Sequence, residues 1–314
     1  PIEINQQSTR FVINGLESGQ IAKIRLIAKD NVNNIISKEA TILVPPASNA
    51  LLFRHRINNR ECTVYLPSRY SKNIKTAMII YFHGAGGYGW DDAQKRRFRE
   101  IAERETIIIA YPQATIYDQP GIPSWCVESR FPTDDLPFAT QLIDNLTNSY
   151  SVNPKRIYAC GMSSGGFMTN YVGLYLTDKL AAIAPVAGLP TTYNFNFRTI
   201  KTPLPILHIH STKDDIVKYA STDGTCLTVE QSIAFGVKNN QCTETPIITR
   251  LPDINKTDNS TTTLYEYPNP TNGAKVMLYK INGGGHWWPG EKYGETDFVA
   301  EDVIWDFFKN ITKP

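Results

Sequence analysis

The sequence predicts an α/β fold with a doubly wound, mostly parallel sheet, preceded by a short all-β segment. Continuous apolar runs indicate strands that are buried on both faces of a parallel sheet. The segments between these runs have helical spacing, and strands that alternate with helices imply right-handed crossovers. The runs are AMIIYF, TIIIAY, IYACG, AAIAPVAG, LPILHIH and VMLYKI.

Residues 1–45 carry the all-β segment, because apolar and polar residues alternate there with period two between turn residues. The strand-like pieces are FVINGL, IAKIRLIAKD and ATILVP. This pattern resembles the second half of a fibronectin type III module, which needs further strands to close its sandwich. Residues 46–50, in the Pro-rich stretch PPASNA, are predicted to be a linker. Residues 51–314 are predicted to form the catalytic domain.

This second domain begins with LLFRHRI and ECTVYLP, two apolar runs that a polar turn joins into a predicted antiparallel hairpin. Helical periodicity follows at intervals along the rest of the chain. The predicted helices are Trp90–Glu105, Asp135–Tyr150, Gly166–Leu180, Leu227–Asn239 and Asp297–Ile311.

The amino-acid composition limits the kinds of partner that we expect the chain to bind. The formal net charge is +2, and no block of like charge stands out, so we expect no nucleic-acid or membrane partner. No run approaches the roughly 18–20 apolar residues of a membrane span. The chain opens at Pro1 without a basic-then-apolar leader, and we therefore expect a processed or trimmed chain. We expect a monomer that acts on an ester substrate.

The five cysteines form no C-x-x-C pair, which argues against a structural zinc site. They are Cys62, Cys126, Cys160, Cys226 and Cys242. Because their number is odd, at least one thiol should remain free. Cys160, inside the apolar run IYAC, is expected to be an inert buried thiol. No cofactor or metal is predicted.

The strongest local signal is Gly161-Met162-Ser163-Ser164-Gly165, placed where a buried strand ends and a helix begins. In that context G-x-S-x-G acts as a nucleophile elbow, a sharp turn that exposes the serine hydroxyl above the sheet edge. The flanking glycines remove side chains that would clash in such a turn. Ser163 is therefore the predicted nucleophile.

A serine hydroxyl needs a base to take its proton. His286 lies in INGGGHWWPG, between the last apolar strand and the last helix, where three glycines allow the loop to fold back toward Ser163. A carboxylate should orient this histidine, and HSTKDDIV offers Asp214 or Asp215, which periodicity cannot separate. The chain order Ser, Asp, His is that of the α/β-hydrolases.

Negative charge develops on the substrate carbonyl oxygen during attack, so N–H donors should stand near Ser163. The loop HGAGG after the strand IIYF occupies the position of an oxyanion loop. We expect the backbone N–H groups of Ala85 and Ser164 to be the donors. His83 is expected to hold the loop by a hydrogen bond.

Five blocks together resemble a secreted esterase family that contains polyhydroxybutyrate depolymerases and bacterial feruloyl esterases. They are HGAGG, DDLPF, VNPKRIYACGMSSGG, HSTKDDIVKY and GGGHWWPG. The family's fourth block commonly reads H-G-T-x-D-P-x-V-P-Y, and its triad acid falls on Asp214. Its last block commonly reads G-G-G-H-T-W-P-G, so Trp287 is a departure beside the base.

The resemblance also implies a disulfide that closes a helix between Cys226 and Cys242. Cys62 and Cys126 could pair as well. A disulfide would imply an oxidising compartment, and we therefore expect a secreted or periplasmic protein.

The resemblance offers two substrate classes, namely polyhydroxybutyrate-type polyesters and feruloyl or acetyl esters of plant polysaccharide. A β module in front of the hydrolase suggests a polymeric target. The polyester is the favoured expectation. Trp125 and Trp287 are the predicted substrate-binding aromatics, which could stack a feruloyl ring or line an apolar groove.

Two other classes of function compete. His208 and His210 share one face of a strand and, with Asp214, vaguely suggest a metal site, although convincing further ligands are lacking. Buried strand histidines are the better interpretation. A non-catalytic binding protein on a hydrolase scaffold is the other alternative, suggested by the β module and by Trp125, Trp287 and Trp288.

Overall fold

A computed structural model gives two compact units, Pro1–Leu51 and Leu52–Pro314, which are described separately. In the first unit the structure describes the backbone of residues 21–29 and 35–43. In the second it describes residues 52–57, 59–116, 121–128, 131, 133–197, 202–220, 223–291 and 297–314.

The described part of the first unit is a two-stranded antiparallel sheet. Strands β1 (Ile21–Lys29) and β2 (Ile35–Leu43) pair in a continuous register from Ile21 opposite Leu43 to Lys29 opposite Ile35. The segment FVINGL and the linker at residues 46–50 lie outside the described residues. The fibronectin-like module and the domain boundaries therefore remain predictions.

The second unit is built on a ten-stranded sheet. Its strands are β3 (Leu52–Ile57), β4 (Arg60–Tyr65), β5 (Thr76–Phe82), β6 (Ile108–Pro112), β7 (Val152–Met162), β8 (Ala182–Val186), β9 (Ile206–Ser211), β10 (Ile247–Arg250), β11 (Ser260–Tyr267) and β12 (Val276–Gly283). The spatial order is β10-β11-β12-β9-β8-β7-β5-β6-β4-β3. The six central strands, from β12 to β6, are parallel.

Antiparallel strands complete both sides of this sheet. The hairpin predicted at LLFRHRI and ECTVYLP is confirmed as β3 and β4. On the other side, β10 pairs with β11, which pairs with β12. Sequence analysis did not predict β10 and β11, because β10 has only four residues and the threonine-rich β11 lacks the continuous apolar run of a buried strand.

Helices cover the sheet, and most of them match the predicted segments. They are α1 (Gly89–Lys95), α2 (Phe98–Glu105), α3 (Leu136–Ser149), α4 (Ser164–Tyr175), α5 (Thr192–Phe197), α6 (Val229–Asn239) and α7 (Ala300–Phe308), with a 3₁₀ turn at Thr271–Gly273. In the described ranges no helix has the length and apolarity to cross a membrane.

The predicted helix Trp90–Glu105 is two helices, which corrects that expectation. Arg96 leaves the helical conformation, with φ −71° and ψ 139°. Its guanidinium lies 4.8 Å from the ring centroid of buried Trp288 and 3.3 Å from Asp92. These inward contacts replace the helical turn that the sequence pattern predicts.

The predicted disulfide is also wrong, because Cys226 and Cys242 are both free. Cys226 forms an isolated β-bridge with Thr191, whereas the Cys242 sulfur lies 4.0 Å from the carbonyl oxygen of Ala274. Cys62 and Cys126 are free and buried. Cys160 is free and fully buried as predicted, and burial raises its pKa well above the usual value.

The end of β7 and the start of α4 are both seated directly against the end of β5, through Gly161 and Gly165 respectively. A Cβ atom added at Gly161 or Gly165 would overlap the carbonyl oxygen of Phe82, the last residue of β5. Because the obstacle is main chain, it cannot turn away as a side chain could. The chain between β7 and α4 therefore requires glycine at both positions, which fixes the Ser163 turn against the sheet.

We expect Gly165→Ala to lower the free energy of unfolding by at least about 3 kcal/mol, or to prevent folding, because overpacking against main chain cannot relax cheaply. Gly84→Ala is the matched control, since a Cβ atom there meets its nearest neighbours at 3.6 Å. The control should stay within about 1 kcal/mol of the parent. Urea unfolding measures both, and equal stabilities for the two variants would contradict the contact.

Candidate active site

The predicted site residues gather at one edge of the sheet. Strands β5, β7, β9 and β12 are parallel, so their carboxyl ends lie on the same side. Ser163 follows β7, Asp214 follows β9, His286 follows β12, and the glycine loop follows β5. Ligands of open α/β sheets bind outside this edge.

Ser163 has the strained backbone of a nucleophile elbow. Its φ of 55° and ψ of −122° are rare for a residue other than glycine. The Ser163 N–H donates to the carbonyl oxygen of Val186 at 3.0 Å, and its own carbonyl oxygen accepts from Phe167. The Ser163 side chain makes no capping hydrogen bond to α4. Hydrogen bonds thus hold the Ser163 backbone on both sides, whereas the Ser163 hydroxyl group does not cap the helix.

His286 and Asp214 are in direct contact. The Nδ1 atom of His286 lies 2.8 Å from Oδ2 of Asp214. The Asp214 side chain is buried, whereas the neighbouring Asp215 is exposed. The Asp214 Oδ1 atom accepts the backbone N–H groups of Ile216 and Val217, at 3.0 and 2.8 Å. The structure therefore pairs Asp214, and not Asp215, with His286.

The loop after β5 forms a tight turn. The N–H of Gly87 donates to the carbonyl oxygen of Gly84 at 3.0 Å, and Gly86 has φ +74°, a value that favours glycine. This bond does not use the N–H of Ala85. A Cβ atom at Gly84 would lie 3.6 Å from the Cβ atom of Ser163, so the turn borders the elbow. Ser164 begins α4, where N–H groups lack intrahelical partners.

His83 anchors this turn, as expected. The N–H of Ala114 donates to its Nε2 atom at 3.0 Å, which leaves the proton on Nδ1 to be donated to the carbonyl oxygen of Gly84 at 2.7 Å. Burial lowers the pKa of His83 to about 4. The imidazole is therefore neutral at neutral pH, and it holds the loop without adding charge.

Trp125 is not the exposed binding surface predicted from the sequence, because its side chain is only 3% exposed. Its Nε1–H donates to the carbonyl oxygen of His83 at 2.9 Å, and its backbone N–H donates to Oγ of Ser164 at 3.0 Å. Trp125 thus links the glycine turn to the elbow. No sequence motif identifies this link, since it joins segments that are distant along the chain.

Trp287 and Trp288 differ in their exposure to solvent. Trp288 is also buried, at 1% exposure, which excludes it as a binding aromatic. Trp287 is 49% exposed, and its indole lies beside Gly285 in the loop of His286. Of the aromatics singled out in the sequence, Trp287 is accessible at this edge.

His208 and His210 are buried strand histidines, as the better interpretation predicted. Their rings face each other, with Nε2 of His208 3.1 Å from Nδ1 of His210. Within the ranges that the structure describes, no group of three or more His, Cys, Asp or Glu side chains is arranged to hold a metal ion.

The sheet order, the strained serine after β7 and the His286–Asp214 contact are the features of the α/β-hydrolase class. A solved acetyl xylan esterase from Aspergillus awamori has the same fold, with a TM-score of 0.59 over 83% of this chain and 99% of its own at 15% identity. Residues 128–243 match a family described as Phospholipase/Carboxylesterase. That range includes Ser163 and Asp214.

Curated relatives are esterases. A bifunctional acetylxylan esterase/xylanase of Neocallimastix patriciarum is 26% identical over 253 residues, which is 81% of this chain and 33% of the relative. Feruloyl esterase B of Piromyces equi is 29% identical over 262 residues, covering 81% and 46%. A poly(3-hydroxybutyrate) depolymerase of Ralstonia pickettii is 30% identical over 131 residues, covering 38% and 26%.

The chain spans less than half the length of these relatives. The fold, the family match and the relatives together support a carboxylic ester hydrolase.

We expect Asp214→Asn to lower kcat for p-nitrophenyl acetate by about 10³–10⁴-fold, because an amide cannot hold His286 in the required tautomer. Asp215→Asn is the matched control and should keep kcat within about twofold, since its side chain is exposed and adjacent. Steady-state kinetics compares the two. The reverse ranking would mean that the adjacent carboxylate orients the base.

Proposed function

We propose that the second unit is a serine esterase that works through an acyl-enzyme, with Ser163 as nucleophile, His286 as base and Asp214 as its orienting acid. The observation that carries this proposal is the 2.8 Å contact between His286 and buried Asp214, at the sheet edge where Ser163 adopts its strained turn. With Nδ1 engaged by Asp214, Nε2 is the ring nitrogen left to accept a proton.

In the first half-reaction, Oγ of Ser163 bonds to the ester carbonyl carbon while its proton passes to Nε2 of His286. The N–H groups of Ala85 and Ser164 stabilise the oxyanion. The C–O bond to the alcohol then breaks, and the alcohol leaves with the proton from His286. In the second half-reaction water attacks the acyl-enzyme by the same route, releasing the acid and restoring Ser163.

We expect a fluorophosphonate probe to label the parent chain and not Ser163→Ala. Hydrolysis of p-nitrophenyl butyrate should fall by about 10⁴-fold or more in Ser163→Ala and in His286→Ala, because the triad acts as a unit. EDTA should leave the parent rate unchanged. Labelling gels and initial rates measure these effects.

Asp215→Asn serves as a control for the labelling, because its side chain is exposed and the triad is retained. An unlabelled, inactive parent would favour the non-catalytic binding protein, and chelator-sensitive turnover would contradict the triad.

For the substrate, we propose an acetyl or feruloyl ester carried by plant polysaccharide. The esterases that match over most of this chain bear those names. A cavity of about 580 Å³ adjoins the glycine turn, within the range of small-molecule sites. Gln113 connects the cavity wall to the turn, since its Nε2–H donates to the carbonyl oxygen of Gly87 at 3.4 Å.

The walls of this cavity combine aromatic rings with charged groups. Tyr88 and Trp90 supply the rings, and Arg54 lies 3.9 Å from Glu61. Rings that can stack and polar groups that can exchange hydrogen bonds suit a hydroxyl-bearing sugar. A hydroxyalkanoate chain has ester carbonyl acceptors but no hydroxyl donors along its length, so it could not pair with the Glu61 carboxylate, and desolvating that group would be costly.

A polyhydroxybutyrate-type polyester is the second candidate substrate. The depolymerase match, 30% identical over 131 residues, favours it. Trp287 could line a groove for such a chain. The predicted secreted or periplasmic location applies to either substrate and stays a prediction.

We expect kcat/KM for an acetylated xylan oligomer or methyl ferulate to exceed that for a 3-hydroxybutyrate oligomer by at least tenfold. Trp90→Ala should raise KM for the xylan oligomer about tenfold and leave p-nitrophenyl acetate within twofold, because the small ester does not reach the cavity. A preference for the hydroxybutyrate oligomer would overturn the substrate assignment while leaving the triad intact.

A further inference from the structure

A buried histidine pair lies directly behind the acid of the candidate triad. His208 and His210 are each 1% exposed on β9. Their rings are nearly parallel, with an interplanar angle of 4°. The Nε2 atom of His210 lies 2.7 Å from the carbonyl oxygen of Val217 and 3.5 Å from Oδ2 of Asp214. The esterase mechanism above uses neither histidine.

The hydrogen-bond partners determine where the protons lie. A carbonyl oxygen can only accept, so Nε2 of His210 must carry the proton that is donated to Val217. Burial lowers the pKa of His210 and holds that of His208 well below its usual value, so both rings are neutral. The Nδ1 atom of His210 is then an acceptor, and it receives the Nε2–H of His208 at 3.1 Å.

These hydrogen bonds fix the backbone of the turn that carries Asp214. The carboxylate accepts the N–H groups of Ile216 and Val217 through Oδ1, while His210 holds the carbonyl oxygen of Val217. Both polar groups of the Val217 peptide unit are thereby fixed. The remaining oxygen of Asp214, Oδ2, faces His286.

We propose that His210 is a positioning residue for this reaction. Its neutral imidazole clamps the Val217 carbonyl and so aims Oδ2 of Asp214 at His286, and its Nε2–H dipole favours the ionised carboxylate without adding a positive charge. A protonated His210 would instead compete with His286 for Asp214. The proposal rests on the proposed esterase function.

The surroundings of His210 contain several groups that affect its charge. The Tyr219 ring packs edge-on at 5.8 Å, and Lys280 lies 4.9 Å from the same ring. The carbonyl oxygen of Val217, Asp214 and, on α6, Glu230 favour a charged imidazole, whereas His286 opposes it. Burial outweighs the effects that favour the charged ring, so the pKa of His210 is lowered from its usual value.

The test compares substitutions of His210 that keep or remove the hydrogen bond to the carbonyl oxygen of Val217. Glutamine reaches as far as Nε2 of histidine and can donate to Val217, whereas phenylalanine cannot donate and asparagine is too short. We expect kcat/KM to fall at least thirtyfold in His210→Phe and His210→Asn, and to recover to within fivefold of the parent in His210→Gln. Tyr219→Phe retains the ring beside His210 and should stay within threefold.

A pH profile separates positioning from a merely structural role. A carboxylate held beside an imidazole favours the protonated ring. When Asp214 loses its orientation, the acid limb of kcat/KM should therefore move to lower pH in His210→Phe and His210→Asn and return in His210→Gln. The low-field proton resonance of the His286–Asp214 hydrogen bond should weaken in the same two variants. Asparagine keeps the site polar, so the test survives if the phenylalanine variant does not fold.

Unchanged kcat/KM, acid limb and resonance in His210→Asn would overturn the positioning role, and so would a glutamine variant no better than asparagine. A loss of kcat/KM that is equal at every pH, with the acid limb of the profile unchanged, would also count against the positioning role. These outcomes require an active parent that a fluorophosphonate labels. An unlabelled, inactive parent would refute the esterase function instead, so the two failures are distinguishable.

Discussion

The close approach of α4 to the end of β5 is the contact on which the candidate site depends. Gly161 and Gly165 allow the main chain after β7 to pass against Phe82 with no room for a side chain. The same approach places the turn at Gly84 beside Ser163. A nucleophile and its oxyanion donors must be held to within a fraction of an ångström, and two backbones in contact provide such rigidity.

A second layer of contacts fixes these backbones from behind. His83 and Trp125 tie the glycine turn to the elbow, and His210 ties the Asp214 turn to β9. All three side chains are buried and uncharged, and each donates one N–H to a main-chain carbonyl oxygen. These three side chains therefore hold the backbone without adding charge beside the Asp214 carboxylate.

Much of this arrangement can be predicted from the sequence, because it follows from local pattern and chain order. Short runs of consecutive residues specify the parallel strands, the elbow at Ser163 and the loop of His286. What could not be predicted depends on contacts between distant segments. The free Cys226 and Cys242, the buried Trp125 and the helix break at Arg96 each follow from a tertiary neighbour that no periodicity reveals.

The neutral, buried imidazole of His83 makes the folding stability of the domain depend on pH in the acid range. In an unfolded chain this histidine titrates near 6.5, whereas in the folded domain burial lowers its pKa to about 4. Between those two values protons bind the unfolded chain preferentially, so this stabilising contribution is complete above pH 6.5 and is lost as the pH falls toward 4. The difference amounts to about 3 kcal/mol. The residue that anchors the glycine turn thereby couples acid tolerance to the geometry of the candidate site.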